Sequence, residues 1–82
     1  MQKVLVKSKT CRKCKEVEKY LNENPVDELK ILNASEDDGR EFAVKYKVKA
    51  APTLLILDEN SEEVKRFVSD GEIIAYFKGE LE

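Results

Sequence analysis

The most apolar stretch of the chain, AAPTLLIL at residues 50–57, limits the possible folds more than any other segment. A short continuous apolar run bounded by turn-forming residues is typical of a buried strand. We therefore predict that Thr53–Leu57 forms the central strand of a sheet. The polar sequence DENSEE that follows predicts a turn, and residues 63–68 are expected to return antiparallel as the second strand of a hairpin.

Two more strands and a first helix are predicted before this hairpin. Residues 3–7 and Leu29–Asn33 are short apolar segments, and we interpret both as strands. A helix is expected to begin at Cys11, where the apolar residues change to helical spacing. It should end before Pro25, because proline disfavours helical geometry in the residue that precedes it.

Two further helices are predicted from their starting residues. Ser35 and Ser69 are each followed by acidic residues in a pattern typical of a capping box. The apolar residues of the three helices recur at helical spacing, so each helix should turn one face to the sheet. The residues expected on these inward faces are Cys14, Val17, Tyr20, Leu21, Phe42, Ala43, Tyr46, Ile73, Ile74, Phe77 and Leu81.

The predicted order of elements is therefore β-α-β-α-β-β-α. Its first part is a βαβ unit, which requires parallel strands, and its second part is an antiparallel hairpin closed by a helix. We predict an α/β protein with a four-stranded mixed sheet and helices on both faces. Its 82 residues are expected to form one domain, residues 1–82.

The composition fits a globular protein, with 41% hydrophobic residues and a net charge of only −2. The apolar run of residues 4–6 is too short for a secretory signal. No segment approaches the roughly 20 apolar residues that are needed to cross a membrane. A cytoplasmic location is therefore expected, and there a purely structural disulfide is disfavoured because thiols are kept reduced.

Positive charge is concentrated at the start of the chain, where the first fifteen residues contain no acidic residue. The simplest interpretation is a solvated surface, and the functional one is a positive field around the cysteines. Nucleic-acid binding is not expected, because no aromatic residues are interspersed in this stretch. The basic residues are Lys3, Lys7, Lys9, Arg12, Lys13 and Lys15.

The chain contains two cysteines, Cys11 and Cys14, and no histidine. A structural zinc site needs four such ligands, so a metal would have to bridge two chains that each contribute one pair. An inert buried pair is the second interpretation, since free cysteine packs as a small apolar residue. The third is a pair that forms and breaks a disulfide as its function.

The redox interpretation accounts for most of these features. Cys11 lies where a helix begins, and the unpaired N–H groups and the helix dipole there favour a thiolate. Arg12 and Lys13 add positive charge and are expected to contact substrates. Cys14 lies one turn further on the apolar face and should be shielded. Cys11 would then attack a target disulfide and Cys14 would resolve the mixed disulfide, without a metal or any cofactor beyond the Cys11–Cys14 disulfide.

Two longer segments resemble the thioredoxin family. The stretch YKVKAAPTLLILDENSEEV, residues 46–64, is similar to the thioredoxin segment that enters the hairpin, and SDGEIIAYF, residues 69–77, is similar to the opening of its last helix. The resemblance covers nearly the whole chain but lacks the family's N-terminal β-α segment. It implies the thioredoxin fold, a cis Ala51–Pro52 bond, and a role for Ala51 and Pro52 in binding the substrate peptide.

The chain also departs from the thioredoxin pattern at several positions. Thr10 stands in place of the tryptophan before the first cysteine, and Lys13 replaces the proline between the cysteines. The family's buried acid falls at Leu5, and the glycine that faces the substrate groove falls at Arg66. These departures leave the dithiol chemistry intact and the substrate preference open.

Glutaredoxins are the alternative within the same fold, since this chain has their length. Residues 68–70 resemble the end of the loop that holds glutathione in that family. However, Phe67 and Val68 stand where that family has two glycines, and Ser69 is explained equally well as a helix N-cap whose box is completed by Glu72. A glutathione-dependent enzyme remains the alternative.

We predict a cytoplasmic, monomeric, thioredoxin-like dithiol–disulfide oxidoreductase that acts in electron transport. Its substrates would be proteins with disulfides, and its positive rim favours partners with acidic surface around the disulfide. Electrons would come from a thioredoxin-reductase-type enzyme or from glutathione. No nucleic acid and no membrane is expected as a partner. The non-enzymatic alternative is the metal-bridged dimer.

Overall fold

The structure is a computed structural model that describes residues 2–9 and 11–79. Its elements follow the predicted order, although β1 begins one residue earlier and β4 ends one residue earlier than expected. The strands and helices are β1 (Gln2–Lys7), α1 (Arg12–Glu23), β2 (Leu29–Asn33), α2 (Asp37–Lys45), β3 (Thr53–Leu57), β4 (Glu63–Phe67) and α3 (Asp70–Phe77).

The four strands form one mixed sheet in the order β2-β1-β3-β4. Strand β1 pairs with β2 in parallel, as a βαβ unit requires, and pairs with β3 antiparallel. Strands β3 and β4 form the antiparallel hairpin that the sequence predicts. The two central strands are therefore β1 and β3, which are the two most buried strands of the sheet.

The side chains of β3 point alternately to two apolar layers. Leu54 and Ile56 pack in a cluster with residues of α1 and α3. Leu55 and Leu57 pack on the opposite face, where residues of α2 cover them. The prediction of helices on both faces of a four-stranded mixed sheet is thus confirmed.

The predicted inward faces of the helices are largely confirmed. Cys14, Val17, Leu21 and Ile73 are buried. Aromatic side chains complete both layers, with Tyr20 and Phe77 against the first cluster, and Phe42 and Tyr46 against the second. The predicted inward residue Leu81 lies outside the described residues.

The two predicted helix caps have different outcomes. Ser69 is the N-cap of α3, and its Oγ accepts a hydrogen bond from the Glu72 backbone N–H at 3.2 Å, as predicted. The expectation for Ser35 is wrong, because α2 begins after Glu36, which makes no side-chain cap. The backbone N–H of Ser35 instead donates to Oδ1 of Asn33 at 2.8 Å. The asparagine side chain forms the turn that ends β2, and this moves the helix start by one residue.

Helix α2 packs closely against the end of β2 at Gly39. A Cβ atom at this buried position would lie 2.0 Å from the carbonyl oxygen of Asn33 and 2.9 Å from the backbone nitrogen of Ala34. Both atoms belong to the backbone, so neither can move aside as a flexible side chain would. The absence of a side chain at Gly39 therefore sets how closely α2 approaches the sheet.

We expect Gly39→Ala to destabilise the fold by about 2 kcal/mol or more, because α2 must shift away from the turn after β2. Gly71→Ala is the matched control, since a Cβ there meets no atom within 4 Å and alanine is the better helix former. Urea unfolding followed by circular dichroism measures both variants. Equal stability of the two variants would contradict the close packing at Gly39.

The two serines allow a second test of the local structure. Ser69→Ala should lower the free energy of unfolding by about 1 kcal/mol, since it removes the acceptor for the Glu72 N–H. Ser35→Ala should change it by less than about 0.5 kcal/mol, because the Ser35 hydroxyl caps no helix. The same urea titrations measure both values, and a larger loss for Ser35→Ala would refute the assignment of the caps.

Candidate active site

The two cysteines lie at the N-terminus of α1, where Cys11 is the N-cap residue. They are joined by a disulfide, and their Cα atoms are 5.3 Å apart. The backbone N–H of Cys14 donates to Sγ of Cys11 at 3.1 Å, so the Cys11 sulfur takes the place of a capping oxygen. The helix start therefore directs one backbone donor at the first sulfur of the pair.

The two cysteines differ in their exposure to solvent. Cys14 is only 2% exposed and lies on the same face of α1 as Val17 and Leu21. Cys11 is half-buried, and both Arg12 and Lys13 between the cysteines are exposed. Cys11 is therefore the more accessible residue of the pair and Cys14 the shielded one, in the order expected from the sequence.

The segment that precedes β3 packs directly against Cys11. Sγ of Cys11 lies 3.3 Å from the carbonyl oxygen of Ala51. The Ala51–Pro52 peptide bond is cis, and Pro52 is fully buried while Ala51 is half-buried. This contact follows from the register. The antiparallel pairing of Val6 with Thr53 brings the last residues of β1 and the first residues of β3 to the same end of the sheet.

The position of the family's buried acid is apolar in this protein. Leu5 is 1% exposed and belongs to the cluster beneath α1 and α3. Nearby, Lys7 of β1 forms a half-buried ion pair with Glu18, which lies in the middle of α1. Sequence analysis missed this pair, since a spacing of eleven residues between two different elements leaves no local signal.

Arg66 makes contacts that the sequence comparison did not indicate. Its guanidinium donates to the backbone carbonyls of Tyr46 and Lys47, at the C-terminus of α2, and to the carboxylate of Glu63. A cation at the C-terminus of a helix is favourable because the last carbonyls are otherwise unpaired. Arg66 thus fastens the end of α2, and the loop towards Ala51, to strand β4.

Residues 68–70, which resemble part of a glutathione-binding loop, lie at the same end of the sheet as the cysteines. Val68 is 54% exposed, and the hydroxyl of Ser69 is occupied by the N-cap of α3. Asp70 follows as the first residue of the helix and is half-buried. The structure therefore accounts for Ser69 through the helix alone.

Within residues 2–9 and 11–79, no group of three or more His, Cys, Asp or Glu side chains is arranged to hold a metal ion. None of the helices described is long and apolar enough to span a bilayer.

Comparison with known proteins identifies the fold. No protein-family model and no curated protein sequence matches the chain. Solved structures do match, among them thioredoxin 1 from Thermosipho africanus, with a TM-score of 0.65 and 23% identity over 99% of this chain and 94% of that one. Malassezia sympodialis thioredoxin gives a TM-score of 0.71 and 15% identity, covering 95% and 72% of the two chains.

A third match, to the Schistosoma mansoni thioredoxin pre-protein, has a TM-score of 0.66 and 24% identity and covers 98% of this chain and 80% of that one. These identities are low, and the similarity lies in the arrangement of the elements. The mixed sheet, the helices on both faces and the cysteine pair at the start of α1 agree with this result. The chain has the thioredoxin fold.

Proposed function

We propose that this protein is a thiol–disulfide oxidoreductase that reduces protein disulfides through Cys11 and Cys14. The observation that supports this most directly is the Cys11–Cys14 disulfide, with the half-buried Cys11 beside Ala51 and the buried Cys14 one turn into α1. A purely structural disulfide between residues three positions apart would add little stability, because a disulfide stabilises a fold mainly by closing a long loop.

Cys11 is proposed as the nucleophile. In the reduced protein, the Cys14 N–H and the positive end of the α1 dipole would stabilise a thiolate at the Cys11 sulfur. Arg12 and Lys13 add positive charge nearby and are proposed to contact the substrate. Because both are exposed, their effect on the thiolate is modest.

The proposed reaction has two exchange steps. The Cys11 thiolate attacks one sulfur of the target disulfide, and the other target sulfur leaves as a thiolate that takes up a proton. Cys14 then loses its proton and attacks the Cys11 sulfur, which releases the second target thiolate. The target gains two electrons and two protons, and the protein is left with the Cys11–Cys14 disulfide.

Ala51 and Pro52 are proposed to hold the target polypeptide. Ala51 lies at the end of the sheet where β3 begins, beside Cys11 and immediately before the buried Pro52. The loop is held in place by the hydroxyl of Thr53, which donates to the carbonyl of Ala50 at 2.7 Å. A target chain that pairs with the Ala51 backbone, as an added strand pairs with a sheet edge, would place its disulfide at Cys11.

The remaining parts of the proposal concern the cellular setting. The oxidised pair would be reduced again by a thioredoxin-reductase-type enzyme or by glutathione, and the protein would act in electron transport as a cytoplasmic monomer. This setting is supported by the chemistry, because a dithiol reductant works only where a donor keeps it reduced.

We expect Cys11→Ser to lose reduction of a protein disulfide down to the uncatalysed rate, because the remaining thiol, Cys14, is buried. Cys14→Ser should retain the first step and accumulate a mixed disulfide through Cys11, since the resolving thiol is missing. Turnover with dithiothreitol as donor and intact mass spectrometry measure the two effects. Reducing activity that survives in Cys11→Ser would sink the assigned roles.

A glutathione-dependent reaction is the second candidate. It is favoured by the position of Ser69 and Asp70 at the same end of the sheet as Cys11. The main observation against it is that the Ser69 hydroxyl is already occupied by the cap of α3.

Equilibration in graded glutathione redox buffers, quenched with acid and measured by intact mass, distinguishes the two candidates. We expect a transition from the dithiol to the internal disulfide without a lasting glutathione adduct. This outcome follows from the position of Cys14 one turn from Cys11, where it displaces a bound thiol rapidly. A stable adduct on Cys11 would instead assign the protein to the glutathione-dependent class.

A further inference from the structure

An open cavity of about 250 Å³ lies on the α2 side of the sheet, between the segment that follows β1 and the segment that precedes β3. Ala51 belongs to this cavity and also contacts Sγ of Cys11 through its carbonyl oxygen. The cavity and the proposed catalytic site therefore share Ala51. Its lining includes Ser8, Ala34, Ala43, Val48, Lys49 and Ala51.

The lining of this cavity combines apolar walls with two polar groups. The methyl groups of Ala34, Ala43 and Val48 offer contacts to a short hydrocarbon stem. Ser8 contributes a hydroxyl donor, and Lys49 contributes an exposed ammonium group at the rim. A side chain with an apolar stem and a negatively charged end matches this arrangement. Its stem would contact the apolar residues while its charged end reaches the polar groups.

Lys49 takes part in neither of the ion pairs Lys7–Glu18 and Arg66–Glu63. Lys9, Arg12 and Lys13, which are close to the cysteines in sequence, are also exposed. These cations favour a negatively charged segment in a bound chain.

We propose that this cavity binds an aspartate or glutamate side chain that stands beside the target's disulfide, and that Lys49 is a specificity-determining residue. The inference rests on the proposed function, because the cavity acquires this role only if Cys11 attacks a disulfide of a polypeptide. The stem of the acidic side chain lies against Ala43 and Val48, and its carboxylate pairs with Lys49.

The test uses two peptides with the same internal disulfide, in which the residues beside one cysteine are either glutamate or glutamine. Stopped-flow measurements with the fully reduced protein give the second-order rate constant for each peptide. We expect the wild-type protein to reduce the glutamate peptide about threefold to fivefold faster, the size of effect that one partly exposed ion pair supplies. The preference should shrink in 0.5 M salt, because screening there acts over a few ångströms.

Lys49→Gln should abolish the preference and leave the rate with the glutamine peptide within about twofold, since the cysteines are unchanged. Lys30→Gln is the matched control: it removes the same charge from an exposed position on β2, next to Val4 near the opposite end of the sheet, and should keep the preference.

Three results would overturn parts of this inference in distinguishable ways. Equal rates of wild type with both peptides would remove the acidic preference and leave the oxidoreductase proposal intact. A preference that persists in Lys49→Gln would remove Lys49 as its cause. Failure of the wild-type protein to reduce either peptide, with its dithiol shown to be intact by mass, would overturn the proposed function and this inference with it.

Discussion

Burial of β3 on both of its faces is the constraint from which the architecture follows. All five side chains of Thr53–Leu57 are buried, and the strand is paired on both edges, with β1 and with β4. A strand with two apolar faces needs a layer on each side, so one face is covered by α1 and α3 and the other by α2. Full burial of each leucine contributes roughly 1.5–3 kcal/mol, which makes this strand a main source of the stability of the fold.

The same pairing creates the candidate site. Since β1 and β3 are antiparallel, the chain leaves β1 and enters β3 at the same end of the sheet. The segments beyond the two strands must meet there. One segment supplies Cys11 at the start of α1, and the other supplies Ala51. The candidate site therefore lies at the junction of two loops that are held by the most deeply buried strands, which places the half-buried Cys11 on a rigid support.

Charged side chains of the sheet contact two of the helices. Lys7 is paired with Glu18 of α1, and Arg66 binds Glu63 and the backbone at the end of α2. Such partly exposed pairs add little stability individually, but they neutralise the charges that they involve. Exposed cations such as Arg12 and Lys49, which belong to different segments of the chain, take part in neither pair.

The sequence by itself determined the order of the elements, the apolar faces and the position of Cys11 and Cys14 at a helix start, because periodicity and helix-end chemistry act over a few residues. Tertiary structure alone decided that the Ala51 carbonyl contacts Cys11, forty positions away, and that Lys49 joins the cavity that Ala51 lines. It also moved the start of α2 past Ser35. Such contacts depend on strand register and on the packing of whole elements, which no local pattern of residues specifies.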